Sequence, residues 1–215
     1  PGEWYRLAAT YTPSESMKIY VNGKEIEDPL TNNIPSSIFS GSAPLWIGVQ
    51  NVTTSPTRYF PGQIDEVAVY NRALSEEQIA AHYQAAFSPA RDPAAISGLQ
   101  AWYQIDNGTQ LVYEASDGSY RASAWQDSSV NNRTMQQATV PPRPVMRQDQ
   151  IGGYPALEFD GINDWLSAGN GDVYSNVDGL TVVAVAKRDG DNRNRAIAAQ
   201  YKTGGDTREW TMTGA

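Results

Sequence analysis

Short runs of alternating apolar and polar residues recur along almost the whole chain, and they limit the fold more than any other feature. In one run Met17, Ile19 and Val21 alternate with polar neighbours, and Asn22-Gly23 follows directly. An Asn-Gly pair at such a place is typical of a two-residue hairpin, because both turn residues must tolerate positive φ. Further strands are expected at residues 4–11, 45–49, 63–70, 99–105, 156–159 and 180–187. The pattern predicts an all-β fold, either a sandwich or a barrel.

A single helix is expected after Ser75. Ser75 and Gln78 fit a capping box, in which the serine hydroxyl accepts from the Gln78 amide and the glutamine side chain reaches back. Pro89 and Pro93 then follow, and proline cannot continue a helix. We therefore divide the chain into a first segment, residues 1–86, a linker, residues 87–96, and a second segment, residues 97–215.

Composition excludes several classes of function. The formal net charge is −8, so a nucleic-acid partner is not expected, since its phosphates would be repelled. The chain has no cysteine, which excludes disulfides, zinc-thiolate sites and a cysteine nucleophile. No run approaches the roughly 18 apolar residues of a membrane span, so no membrane insertion is expected. The chain starts at Pro1 and enters a strand almost at once, so we expect it to be cut from a longer precursor.

The first segment carries several motifs in a fixed order. They are residues 2–11, which begin Gly2-Glu3-Trp4, residues 17–24 with their Asn-Gly turn, residues 44–48, residues 60–67 and residues 70–79. In this order the motifs resemble the second half of a laminin-G-like domain of the concanavalin-A-like superfamily. The resemblance implies the last strands of such a domain and its short closing helix.

The second segment resembles the first half of the same kind of domain. The resemblance rests on residues 98–103, residues 125–129, residues 154–166 with Phe159-Asp160-Gly161, and residues 180–186. The back half thus precedes the front half. Either the chain spans two consecutive tandem domains, or the halves form one complete sandwich. We favour one antiparallel jelly-roll sandwich with one short helix and its halves in permuted order, closed within the chain or by exchange with a neighbouring copy. Half a sandwich alone would expose its sheet edges.

Aspartates suggest a cation site. Asp160, Asn163 and Asp164 crowd a tight turn, and Asp65 follows the entry to another strand. Calcium takes six to eight oxygen ligands from such groups. The resemblance implies a structural Ca²⁺ near both places, and a site that joined Asp160 to Asp65 would unite the two halves. The alternative is that these residues only form turns.

Catalysis is not expected. Jelly-roll glucanases of the resembling superfamily use two glutamates around an aspartate on one strand. Here Glu158 and Asp160 supply the first pair, but Ile162 and Asn163 stand where the second glutamate should be. His82, the only histidine, is expected at the surface of the closing helix.

Aromatic residues in loops are the candidate ligand contacts. The resemblance implies that Trp4 and Trp102 are buried in strands. The candidates near loops are Trp165, Trp125, Trp210, Tyr120 and Tyr174.

The sequence therefore predicts an extracellular recognition or adhesion module of a larger secreted or cell-surface protein, binding glycan or protein. One alternative is a structural subunit of an extracellular filament, assembled by exchange of sandwich halves between neighbouring copies. Another is an accessory module of a polysaccharide-degrading enzyme.

Overall fold

The computed structural model is built of antiparallel strands with one α-helix, and it describes residues 2–26, 29–38, 43–50, 57–85, 93–105, 109–139, 142–169, 177–190, 194–201 and 208–214. The strands of the first segment are β1 (Trp4–Thr12), β2 (Ser16–Val21), β3 (Lys24–Glu25), β4 (Leu45–Ile47) and β5 (Pro61–Tyr70). Helix α1 (Glu76–Ala85) and a 3-10 helix (Pro93–Ala95) follow. The remaining strands are β6 (Leu99–Tyr103), β7 (Gln110–Glu114), β8 (Ser119–Trp125), β9 (Met135–Gln136), β10 (Val145–Ile151), β11 (Tyr154–Asp160), β12 (Leu166–Ser167), β13 (Leu180–Arg188), β14 (Arg195–Tyr201) and β15 (Arg208–Gly214).

The predicted all-β fold is confirmed, with every predicted strand present and its ends shifted by a few residues at most. Asn22 and Gly23 have φ of 51° and 80°, as a two-residue hairpin requires. The capping box is also confirmed. The Gln78 amide donates to the Ser75 hydroxyl at 3.3 Å, and the Ser75 amide donates to the Gln78 side-chain oxygen at 3.1 Å.

Two layers of strands enclose the core. The first layer runs β3-β2-β1-β13-β5, after which β6 pairs with one end of β5 and β11 with the other, and β10 lies outside β11. The second layer runs β15-β14-β4-β12-β9-β8, with β7 beside β8. Among the described residues, a pair between Val145 and Arg121 connects β10 to β8, and a bridge between Tyr103 and Asp127 also connects the layers. Buried residues of both layers, such as Val182 and Leu157 in the first and Ile47 and Ile197 in the second, share one cluster.

Strands of the two segments pair directly with one another. In the first layer β13 pairs with both β1 and β5, and β5 also pairs with β6 and β11. In the second layer β4 lies between β12 and β14. Strands of the two segments are therefore hydrogen-bonded to one another in both layers.

A second, smaller cluster lies under helix α1, on the other face of the first layer. It contains Ala8, Tyr20, Ala68, Tyr70, Leu74, Ile79, Trp102 and Val183. Burial of Trp102 confirms what the resemblance implied for it. Trp4 is only half-buried, and its indole N–H donates to the Gln150 backbone oxygen at 3.0 Å.

The expected surface position of His82 is wrong, because its side chain is buried between α1 and the sheet. A bulge in β5 explains this environment. Glu66 and Val67 together oppose Ala184, and Glu66 takes a φ of 50°. Two successive carboxylates, Asp65 and Glu66, consequently face away from the main core while Val67 still points into it. The Glu66 carboxylate forms a buried ion pair with Arg6, which also donates to His82.

No helix among the residues described above is long and apolar enough to cross a membrane.

Candidate functional site

Trp46 lies on the outer face of the second layer, turned away from the core. Its neighbours Leu45 and Ile47 are buried in the core, and successive side chains of a strand point to opposite faces. Register confirms the assignment. Ile47 opposes the core residue Leu166, and Trp46 opposes Ser167.

A row of directly opposed residues crosses this outer face. From one edge to the other it consists of Thr211, Ala199, Trp46, Ser167, Gln136, Ala124 and Gln110. Directly opposed residues of antiparallel strands have side chains on the same face. The row therefore places one indole among small, hydroxyl and amide side chains, with no charged residue.

Trp165 completes the aromatic part of the site. Its ring centroid lies 4.7 Å from that of Trp46, with the ring planes at 60°. Both side chains are half-buried. Beyond Thr211, the Gln50 amide donates to the threonine hydroxyl at 3.2 Å, which orients that end of the row. We call Trp46, Trp165 and the row the outer tryptophan face.

Uncharged amide and hydroxyl groups beside aromatic rings suit a neutral polyhydroxylated ligand. Such a ligand offers C–H surfaces to the rings and hydroxyls to the polar groups, and tryptophan combines a large apolar surface with a polar edge. Phosphate or carboxylate ligands instead require cationic partners, and the row has none.

The structure separates the four predicted ligand residues that it describes, Trp165, Trp125, Trp210 and Tyr120. Trp165 lies on the outer tryptophan face. Trp125, at the end of β8, is fully buried in the core, where it packs on Tyr103 at 5.9 Å between ring centroids. Trp210 is half-buried against the core, and its indole donates to Gln200 at 3.2 Å.

Tyr120 is exposed on the β7–β8 hairpin, away from Trp165. Its ring packs against that of Tyr113, with 5.3 Å between centroids. Tyr174 lies outside the described residues. Of the predicted aromatic contacts that the structure describes, only Trp165 lies beside another tryptophan on the outer tryptophan face.

Trp46 was missed from the sequence. A tryptophan between two aliphatic residues in a three-residue run is typical of a buried strand. The signal that distinguishes it is alternation: Leu45 and Ile47 share one face, so Trp46 must occupy the other.

The turn after β11 holds Asp160, Asn163 and Asp164 together, as predicted. One oxygen of Asp160, Oδ1, accepts from the amides of Ile162, Asn163 and Asp164 at 2.8, 2.9 and 3.1 Å. In return Asp164 Oδ2 accepts from the Asp160 amide at 3.0 Å. Burial, together with the neighbouring Asp160 carboxylate, raises the pKa of Asp164 to about 7.

Asp65 is not brought to this turn. Asp160 opposes Pro61, so Asp65 lies four positions further along β5, roughly 13 Å away at 3.3 Å per residue. Through Val185, it instead shares a cross-strand row with the buried Arg6. Within the described parts of the chain, no group of three or more His, Cys, Asp or Glu residues could hold a metal ion. Asp65 therefore lies apart from the other three residues of the predicted calcium set, and Asp160 Oδ1 accepts from backbone amides, while calcium binding itself stays a prediction.

Glu158 is paired with a cation, which argues against an acid–base role. Arg147 Nη2 lies 2.8 Å from its carboxylate, and this hydrogen bond, with further contributions from Gln63 and Lys187, keeps the pKa of Glu158 below its usual range. A general acid in a glycosidase needs a raised pKa. The geometry thus gives Glu158 the role of an ion-pair partner.

Comparison with known proteins places the first segment in a family context. Residues 1–80 match the model of a laminin-G family described as "Concanavalin A-like lectin/glucanases superfamily". This match supports a module that binds carbohydrate or protein in general, and domains of this kind are typically non-catalytic. No curated protein and no solved structure matches the chain.

Proposed function

We propose that this chain is a non-catalytic, extracellular recognition module that binds neutral glycan on the outer tryptophan face. The observation that carries the proposal is the contact between Trp46 and Trp165, 4.7 Å between centroids, beside a row of opposed residues that are otherwise small or uncharged and polar. The carbohydrate- or protein-binding character of the family matched by residues 1–80 supports it.

We further propose that the two segments are halves of one sandwich in permuted order, closed within a single chain. Direct pairing of β5 with β6, β11 and β13, and of β4 with β12 and β14, supports this closure. Light scattering should then give a monomer of 23.5 kDa. Dimers or polymers held together by exchanged halves would instead favour the filament alternative.

Glycan binding is tested by screening an array of neutral and acidic glycans with the purified chain and three variants. Trp165→Ala and Trp46→Ala should each reduce binding to any neutral glycan hit by tenfold or more, because both rings contribute to the contact. Tyr120→Ala is the matched control, since it removes an exposed aromatic ring away from the face.

Folding of each variant is checked by its far-UV circular dichroism and its melting temperature. Glycan binding that persists in both tryptophan variants would disprove the proposed site. Binding restricted to acidic glycans would contradict the proposed ligand class.

A further inference from the structure

An open apolar groove lies at one side of the sandwich, on the inner face of the first layer, and neither Trp46 nor Trp165 lines it. Its volume is about 630 Å³. Alternate residues of β1 and β2 line one wall: Tyr5, Leu7, Ala9, Met17, Ile19 and Val21. Phe60, Ile197 and Met212, all buried in the core, lie at its base.

The first layer extends beyond the second at this side. Met17 is 41% and Ile19 50% exposed, although their side chains lie on the same face as the core residue Tyr11. Ile26 and Leu30, at 43% and 54% exposure, continue the apolar surface. Exposed large hydrophobic residues gathered in one groove are characteristic of an interaction site.

The opposite wall of the groove is the edge of β15. Three successive residues, Thr211, Met212 and Thr213, line it. Since successive side chains alternate between the two faces, contact with all three means that backbone of β15, as well as its side chains, borders the groove. Within the described residues β15 pairs with β14 alone, on its other side. The groove therefore combines an apolar wall with a strand edge that can hydrogen-bond to another strand.

Charge at the groove favours an uncharged occupant. Of its charged lining residues, Lys18 is neutralised by Glu25 at 3.0 Å, while Glu3 and Arg188 have opposite signs. A glycan is disfavoured here, because the aliphatic wall offers its hydroxyls few polar partners.

We propose that this groove binds an extended, uncharged strand of another polypeptide, with apolar side chains at alternating positions. The strand pairs with the edge of β15 that has no partner strand among the described residues, and its alternate side chains fill the space beside Met17 and Ile19. Main-chain hydrogen bonds and alternating side-chain contacts of this kind are how sheet edges capture peptides. The groove shares Thr211 with the end of the outer tryptophan face but contains neither of its tryptophans, so the tryptophan variants and the groove variants test the two proposals independently.

The test uses a fluorescein-labelled seven-residue peptide of alternating valine and threonine, matching the length of β15. Fluorescence anisotropy should show saturable binding to the chain. Two control peptides keep the composition: one groups the valines in a block, and one carries N-methyl groups on the amides of one edge. Both should bind at least about tenfold more weakly. The block peptide lacks the alternation, and the N-methylated peptide lacks the hydrogen-bond donors of one edge. Hydrogen exchange of β15 amides should slow only with the alternating peptide.

Ile19→Asp should weaken the binding of the alternating peptide by at least about tenfold, since it places a charge in the apolar wall. Met17→Lys is a second variant for the same purpose, and melting curves check that both are folded. Val130→Asp, at a site 91% exposed and outside the groove lining, should leave binding unchanged. Equal binding of all three peptides, or unchanged binding to both groove variants, would overturn the proposal. Self-association of the chain that the same two variants abolish would also overturn it, by showing a second copy in the groove.

Discussion

The imidazole Nε2 of His82 lies 3.1 Å from the hydroxyl oxygen of Tyr70, and the Nδ1 of the same ring lies 3.1 Å from the Arg6 guanidinium. An arginine can only donate, so Nδ1 accepts and the ring proton is on Nε2. The Tyr70 hydroxyl then accepts from His82 and donates to the Pro93 backbone oxygen at 3.4 Å. This ordered series of hydrogen bonds joins β1, helix α1, β5 and the 3-10 helix, and it requires a neutral His82.

Acid should therefore destabilise the protein through His82. Burial, and secondarily the Arg6 charge, lowers the pKa of His82 to about 4, from an ordinary value of about 6.5. The unfolded chain takes up the proton first as pH falls, so the free energy of unfolding should decrease between about pH 6.5 and pH 4. The loss attributable to this group is roughly 3 kcal/mol. Urea unfolding at a series of pH values measures it.

His82→Gln is the matched variant, because an amide is neutral at every pH and still offers one acceptor and one donor. The variant should have a lower free energy of unfolding at pH 8. It should also lose most of the decrease in that free energy that His82 causes between pH 6.5 and pH 4. The same slope in wild type and variant would show that His82 does not titrate in this range in the way its environment predicts.

Removing only one partner of the buried ion pair between Arg6 and Glu66 should strongly lower the free energy of unfolding. Arg6→Met leaves the Glu66 carboxylate buried without its cation, which should lower the free energy of unfolding by about 3 kcal/mol or more. The double variant with Glu66→Gln should recover part of the loss. Arg147→Met is the control. Its partner Glu158 is partly exposed, so the loss should stay within about 1 kcal/mol. Similar losses at both sites would contradict the role of burial.

Much of the fold was predictable, because strand alternation and turn chemistry act locally. The hairpin at Asn22-Gly23 and the cap at Ser75 depend on neighbours within a few residues, and both were predicted. The burial of His82 was not. It depends on the bulge at Glu66, which shifts the alternation of β5 by one residue and brings carboxylates under α1. Alternation alone could not reveal that shift.

The candidate site was predictable only in part. Trp165 was found from its place beside a loop, whereas Trp46 acquires its neighbours through pairing with Ser167 and Ala199, far away in sequence. Likewise, the separation of Asp65 from Asp160 follows from the register of β5 with β11. Sequence patterns identify which residues are turn-forming or aromatic, but long-range register decides which of them meet.

Asp164 should make the protein less stable as pH rises. Because the fold raises its pKa from an ordinary value of about 3.8 to about 7, ionisation is less favourable in the folded chain than in the unfolded one. The resulting loss in the free energy of unfolding is absent below about pH 4 and grows until the pH exceeds about 7. Asp164→Asn keeps an oxygen that can accept the Asp160 amide and removes the charge. We expect the variant to melt several degrees higher than wild type at pH 8, and within about a degree of it at pH 4.

Bound calcium would make the ionised Asp164 stabilising instead of destabilising. The Asp164 variant therefore tests the calcium prediction as well. A bound divalent cation would stabilise the ionised carboxylates, so EDTA would lower the wild-type melting temperature at pH 8 and Asp164→Asn would be the less stable protein. Melting curves in calcium and in EDTA, recorded for both proteins, separate the two cases. Identical wild-type melting curves in calcium and in EDTA would disprove the calcium prediction for this turn.

Gly48 should be intolerant of any side chain. It follows Trp46 and Ile47 with φ of 83°, and a Cβ there would lie 2.2 Å from the ring of Phe159, which is buried in the core. Gly48→Ala should therefore lower the free energy of unfolding by about 3 kcal/mol, from positive-φ strain plus overpacking.

Gly118→Ala is the control, because its φ of 70° is similar but its Cβ would meet nothing nearer than 3.9 Å. We expect a loss of only about 1 kcal/mol there, from strain alone. Equal losses would show that backbone conformation, and not contact with Phe159, fixes glycine at this position. If contact decides, adding Phe159→Leu to Gly48→Ala should cost less than the sum of the two single changes, because the smaller side chain makes room for the new methyl group.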